Sequence, residues 1–260
     1  MRALVTNDDG IDSPGLAALT RLAVAAGLDV VVAAPSEQSS GASAAITAVR
    51  DEGRTLVERH ELPDRPELPA WGVRAQPGHI VVAALTGWLD PAPDLVLSGI
   101  NHGANVGRAV LHSGTVGAVL TAAVHDVSGL AVSLDVPLDP RGERHWDAAD
   151  DVFPRVLELL LDAQPGTSLS LNLPDRDRAE HRELRHARLA AFGAVQARVD
   201  EVEDGGLRLG EIEVGAEPEE GTDGALLAAG HPTLTALRSV SEDEGRLVPD
   251  WLANTERVHS

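Results

Sequence analysis

Two adjacent carboxylates, Asp8 and Asp9, follow the short apolar run of residues 2–6 and precede Gly10. No basic side chain stands beside them in sequence, so they repel each other unless a positive group lies between them. A hard divalent cation on oxygen ligands is the simplest such group. Asn7 adjoins the pair and can orient either carboxylate. The same three residues also cap helices and shape turns, so the pair by itself leaves both readings open. Three other stretches carry compatible groups. Residues 39–43 bring the hydroxyls of Ser40 and Ser43, which suit a metal or a phosphate. Residues 99–107 interleave glycines with Asn101 and Asn105, offering backbone N–H groups and amide oxygens to a ligand. Ser113, Gly114 and Thr115 stand directly before a helical run. There they make either a phosphate cradle or an ordinary Ser/Thr cap. His102 and His112 flank this set, and either can serve as general acid for a leaving alkoxide. Arg108 can bind phosphate or lie in solvent.

These stretches matter only if the fold brings them together. Residues 2–6, 29–34, 95–98, 130–134 and 168–173 are short apolar runs, and the last is ended by Pro174. Residues 14–26, 78–89, 114–124 and 144–162 have helical spacing, and Gly27 ends the first. Such alternation predicts an α/β fold with a mostly parallel sheet and helices on both faces. The candidate loops then fall at the carboxyl ends of successive strands, where open α/β sheets bind ligands. Residues 46–59 and 70–74 are expected to form a small antiparallel excursion around a proline-rich turn at 62–69. After residue 174 the pattern changes: 189–199, 207–214 and 233–237 suggest strands joined by acidic loops, and 248–253 a short terminal helix. A core of 1–174 and a smaller β-rich C-terminal extension of 175–260, used in oligomer contacts, is the expected organisation.

Composition narrows the chemistry. The chain has 260 residues and no cysteine, so thiolate metal sites and disulfides are excluded. The net charge is -20, and all 21 basic residues are arginine. Nucleic acid and anionic membrane surfaces are therefore poor partners. An anionic substrate needs local cations against this field, which again favours a metal. No stretch approaches the ~20 apolar residues of a membrane span, and the N-terminus lacks a signal-peptide pattern, so a cytoplasmic location is expected.

The motifs together resemble the SurE family of survival proteins, metal-dependent 5′(3′)-nucleotidases. The matching stretches are LVTNDDG (4–10), SPG (13–15), AP (34–35), SGAS (40–43), DLVLSGIN (94–101), Gly103, Asn105, Gly107, SGTVGA (113–118), AVSL (131–134), LNLP (171–174) and GTD (221–223). The resemblance implies a Rossmann-like three-layer fold with a hairpin extension, C-terminal exchange between subunits, and homodimers or homotetramers. It implies one divalent ion per subunit, Mg²⁺ or Mn²⁺, held by Asp8, Asp9, Ser40 and Asn101. The substrate is expected to be a small phosphomonoester, held by Asn105, Ser113, Gly114 and Thr115. The implied activity is release of phosphate from nucleoside monophosphates, with water or Asp8 as nucleophile and Asn7 orienting the pair. Two stretches depart from the family. Its GTPxDC motif is replaced by residues 75–80 (AQPGHI), and the tyrosine of its YSGT motif by His112, which the simpler reading makes a space-filler. A phosphatase for another phosphorylated metabolite, such as a sugar phosphate, and a metal- and nucleotide-binding protein without turnover are the alternative readings.

Overall fold

The structure is a computed structural model. It describes residues 1–38, 41, 43–136, 142–191, 195–203, 206–213 and 219–241, with the backbone alone for residue 50 and for 195–203 and 206–213. The expected helix at 248–253 lies outside the described residues.

β1 (Arg2–Thr6) leads into α1 (Pro14–Ala25) and β2 (Asp29–Pro35). The excursion follows as three short pieces, β3 (Arg50–Asp51), β4 (Arg54–Thr55) and β5 (Val57–Arg59), and returns through β6 (Ala70–Val73). α2 (Pro77–Ala83), β7 (Leu95–His102), α3 (Gly114–Val124), β8 (Ser128–Asp135), α4 (Phe153–Leu161) and β9 (Ser168–Pro174) complete the strand–helix alternation. β10 (Arg185–His186), β11 (Val195–Glu203), β12 (Gly206–Glu213), α5 (Asp223–Ala228) and β13 (Thr233–Leu237) follow.

The main sheet has nine strands in the order β10-β13-β9-β8-β7-β1-β2-β6-β5. The run from β9 to β6 is parallel, while β5 and β13 pair antiparallel with β6 and β9. Residues beyond 174 thus contribute β10 and β13 to this sheet, and β11 and β12 form a separate antiparallel ribbon.

Each central strand is buried on both faces, as parallel strands under two helical layers must be. Ala3 and Val5 pack with Leu16, Leu19, Phe153 and Leu160 on one side, whereas Leu4 packs with Ile80, Val81, Val116 and Val119 on the other. α1 and α4 therefore cover one face, and α2 and α3 the opposite one.

Two helices differ from expectation. The expected helix at 144–162 exists only as α4, preceded by turns over 146–152. Pro154 is the reason, since proline fits the first helical turn and not the interior. The helix expected over 78–89 ends as α2 at Ala83, and Ala84–Trp88 make a wider turn broken at Thr86 and Gly87. Of the strand expected at 189–199, residues 189–191 lie outside any strand and β11 is described from Val195.

Candidate active site

The loop after β1 carries the carboxylate pair, and Asn7 shapes it. The buried Asn7 amide donates from Nδ2 to the Gly10 carbonyl at 3.0 Å and accepts from Gly10 N–H at 3.2 Å. Both ends of the side chain are thus engaged, and Asn7 sets the turn that holds Asp8 and Asp9. Ile11 N–H then donates to Pro35 O at 2.8 Å, fastening the loop to the end of β2.

Asp8 is 4% exposed. Its Oδ1 accepts from the Thr115 hydroxyl at 2.6 Å and its Oδ2 from Thr115 N–H at 3.2 Å. The N-terminus of α3 can approach this closely because residue 114 is glycine: a Cβ there would lie 2.7 Å from Asp8 Oδ2. Burial pushes the Asp8 carboxyl above its ordinary value, opposed by the Thr115 hydroxyl and reinforced by the Asp9 charge. Burial raises Asp9 as well, against the hydrogen bond that its Oδ2 accepts from His102 N–H at 2.9 Å and against the nearby His102 ring.

Asn101 arrives from β7. The register between β7 and β8 shifts between Ser98 and Asn101, and the Gly99–Ile100 peptide is cis. α1 presses onto this irregular stretch through Gly15, where a Cβ would lie 1.9 Å from Ile100 O. Asn101 Nδ2 donates to Gly103 O at 2.7 Å, which leaves Oδ1 facing Thr115 Oγ1 at 3.1 Å. One hydroxyl of Thr115 therefore faces two acceptor oxygens, Asp8 Oδ1 and Asn101 Oδ1. Carboxylates and an amide oxygen gathered in a partly buried place, with both carboxyls held above their ordinary values, are a donor set that suits a hard divalent cation. Ser40, the fourth expected ligand, lies outside the described residues.

The other expected residues divide clearly. Ser113 Oγ accepts from Val116 N–H at 3.1 Å, so Ser113 is an N-cap. Thr115 gives both its N–H and its hydroxyl to Asp8. Within the cradle expected at 113–115, Ser113 Oγ and both donors of Thr115 thus have partners inside the chain. Asn105 is tied to neighbouring strands: its Nδ2 donates to Ser133 Oγ at 2.9 Å, while its N–H and carbonyl bond the Asn172 side chain at 2.8 and 3.0 Å. Ser43 donates its hydroxyl to Leu111 O at 2.6 Å and its N–H to His112 O at 3.2 Å, clamping two loops together. His102, Arg108 and His112 have exposed side chains.

Sequence reading missed three supporting groups because their partners are remote in the chain. Asp223 is buried at 1% exposure and accepts from Gly107 N–H at 2.7 Å and Ala190 N–H at 2.9 Å, fixing the end of the glycine-rich loop. Its place in the GTD stretch was the available signal. Asn172, in the LNLP stretch, holds Asn105. Trp146 reaches the rim of the site, with its ring 6.2 Å from that of His102, and nothing in its local sequence marks it.

Comparison with known proteins finds relatives along nearly the whole chain. The family model described as Survival protein SurE matches residues 3–195. The 5'/3'-nucleotidase SurE of Edwardsiella ictaluri is 34% identical over 269 aligned positions, covering 99% of this chain and 98% of that protein. The 5'-nucleotidase SurE of Methylobacterium radiotolerans is 33% identical, covering 95% and 96%. The crystal structure of SurE protein from Aquifex aeolicus superposes with a TM-score of 0.79 at 26% identity, covering 97% of this chain and all of that one.

Proposed function

The chain belongs to the SurE survival protein family, and from that premise we propose that it is a metal-dependent phosphomonoesterase releasing inorganic phosphate from nucleoside monophosphates. The observation that carries this reading is the convergence of Asp8, Asp9 and Asn101 Oδ1 at the carboxyl ends of β1 and β7. Asp8, Asp9 and Asn101, with Ser40 completing the set, would hold one Mg²⁺ or Mn²⁺, hard ions suited to oxygen ligands. When bound, that ion neutralises phosphate charge and makes a water a better nucleophile.

The residues of the chain divide the remaining work. Asn7 holds the turn. Thr115 orients Asp8 by bonding both of its oxygens; we assign Asp8 to holding the cation and the attack on phosphorus to a water. His102 keeps Asp9 in place through its backbone N–H, and its exposed ring is the candidate general acid for the departing alkoxide.

The test is phosphate release from a panel of nucleoside 5′- and 3′-monophosphates and sugar phosphates. Activity on the nucleotides with Mn²⁺, its loss in a chelator and its recovery on adding metal back support the reading. Preference for a sugar phosphate, or metal-independent turnover, contradicts it.

A further inference from the structure

The chain is poor in aromatic side chains, with four tryptophans, two phenylalanines and no tyrosine among 260 residues. Trp71 and Trp88 meet edge to face at 5.7 Å, and Phe153 is buried in the core. Trp146 is placed differently. It is only partly buried, and its ring lies 6.2 Å from that of the exposed His102. His102 N–H is bonded to Asp9, and the His102 ring lies close to that carboxylate. A large aromatic surface therefore stands one ring away from the place where a substrate phosphate would be bound.

That surface is held in place from several sides. One edge of the indole rests on α1, where a Cβ at Gly15 would lie 2.9 Å from its Cζ3. The same Cβ would meet Ile100 O, so the ring is seated where α1 meets the strand that carries Asn101. The indole also packs against the main core cluster. Just before it in the chain, the Arg144 side chain and His145 N–H are bonded to Asp175 at 2.7 and 2.9 Å. Just after it, Ala148 and Ala149 are buried. A ring fixed in this way has little freedom left to lose when a ligand settles on it.

Nucleobases stack on aromatic side chains through the π-face that every base possesses. We propose that Trp146 is the base-stacking platform of the site: a nucleoside monophosphate whose phosphate lies at Asp8 and Asp9 passes its ribose by His102 and lays its base on the indole. The inference rests on the phosphomonoesterase reading for its substrate, and names the part of that substrate the chain recognises. Recognition is by the flat area of the base and not by its hydrogen-bond pattern, so purines are favoured over pyrimidines. Trp146 is a specificity residue that touches the base and takes no part in the chemical step.

Two measurements test this. Ribose 5-phosphate carries the phosphate and the sugar without a base. The ratio of kcat/KM for adenosine 5′-monophosphate to that for ribose 5-phosphate, in the full chain with Mn²⁺, therefore isolates the stacking. It should fall roughly tenfold or more in Trp146→Leu, the loss of one base–aromatic stack, and be largely kept in Trp146→Phe, which retains a ring. A purely structural role for Trp146 lowers both rates together, and an unchanged ratio in Trp146→Leu overturns the inference. The second measurement is quenching of tryptophan fluorescence by adenosine, excited at the red edge of the indole band where adenine does not absorb. Adenosine should quench wild type, and the quench should vanish in Trp146→Phe while calorimetry still shows adenosine bound. No quench in wild type, or a quench that survives in Trp146→Phe, overturns the inference. If wild type releases phosphate from neither ester, the phosphomonoesterase reading fails, and the adenosine quench still decides the platform. If Trp146→Leu does not fold, the fluorescence comparison of wild type with Trp146→Phe decides it.

Discussion

At the scale of single residues, the account turns on how the chain holds two neighbouring carboxylates in a buried loop. Asp8 receives the hydroxyl and the N–H of Thr115, and Asp9 receives His102 N–H. These bonds do not offset burial, and both carboxyls stay above their usual value of 3.8. The sign of the consequence follows from proton linkage. Between pH 3.8 and the raised native values, the folded chain binds more protons than the unfolded one, so metal-free stability declines as pH rises through that window. Above it, the cost of one buried and one half-buried charge is fully present, and a cation relieves it. Mn²⁺ at a hundred times its Kd should therefore raise the melting temperature at pH 7 by roughly 5–10 °C, and by much less at a pH below the window; scanning calorimetry measures both. The carboxylate pair was legible in sequence because its chemistry is local. The role of Thr115 was not, because a residue before a helix reads equally as a cap, a phosphate donor or a partner for a side chain 107 positions away.

At the scale of elements, the site depends on close approach between segments. α3 meets Asp8 through Gly114, and α1 meets the end of β7 through Gly15. Gly114→Ala should cost at least tenfold in kcat/KM, because the new methyl must displace the Asp8 carboxylate. Stability should fall as well, by about 1–3 kcal/mol, because the methyl overpacks a buried contact at the first residue of α3; activity and melting temperature measured together report both effects. On the far side of the sheet edge, Asp175 after β9 anchors the segment that carries Trp146. Its carboxylate accepts from Arg144 at 2.7 Å, from His145 N–H at 2.9 Å and sits 3.0 Å from His145 Nδ1. Burial raises this carboxyl, but the His145 and Arg144 interactions prevail and hold it below the ordinary value. Its contribution to stability is accordingly present above pH 3.8 and lost as pH falls through its lower native value. Asp175→Asn should destabilise the chain by about 3 kcal/mol, read by denaturant unfolding at pH 7. The strand–helix alternation was legible because parallel strands read as near-continuous apolar runs. The late start of α4 is encoded by Pro154, which fits the first helical turn, whereas apolar spacing alone runs on through it.

At the scale of the whole molecule, a chain of net charge -20 is asked to bind an anion. The site lies at the strand ends shared by the parallel sheet, and the field of the surface opposes substrate entry. Raising ionic strength from 0.01 to 0.15 M shortens the Debye length from about 30 to about 8 Å. kcat/KM for a nucleotide should therefore rise, by roughly twofold or more, the reverse of electrostatic steering; initial rates in a salt series measure it. No described helix is long and apolar enough to cross a membrane. The sheet order, with β13 returning beside β9, was not legible from spacing, because pairing between strands some 60 residues apart leaves no local trace. The central claim is that Asp8 and Asp9 hold the cation on which hydrolysis depends. Its most direct measurement is phosphate release from adenosine 5′-monophosphate across a Mn²⁺ titration of wild type and Asp9→Asn. A saturable curve in wild type, with the variant inactive or requiring at least a hundredfold more metal, is the expected result; superimposable curves contradict it.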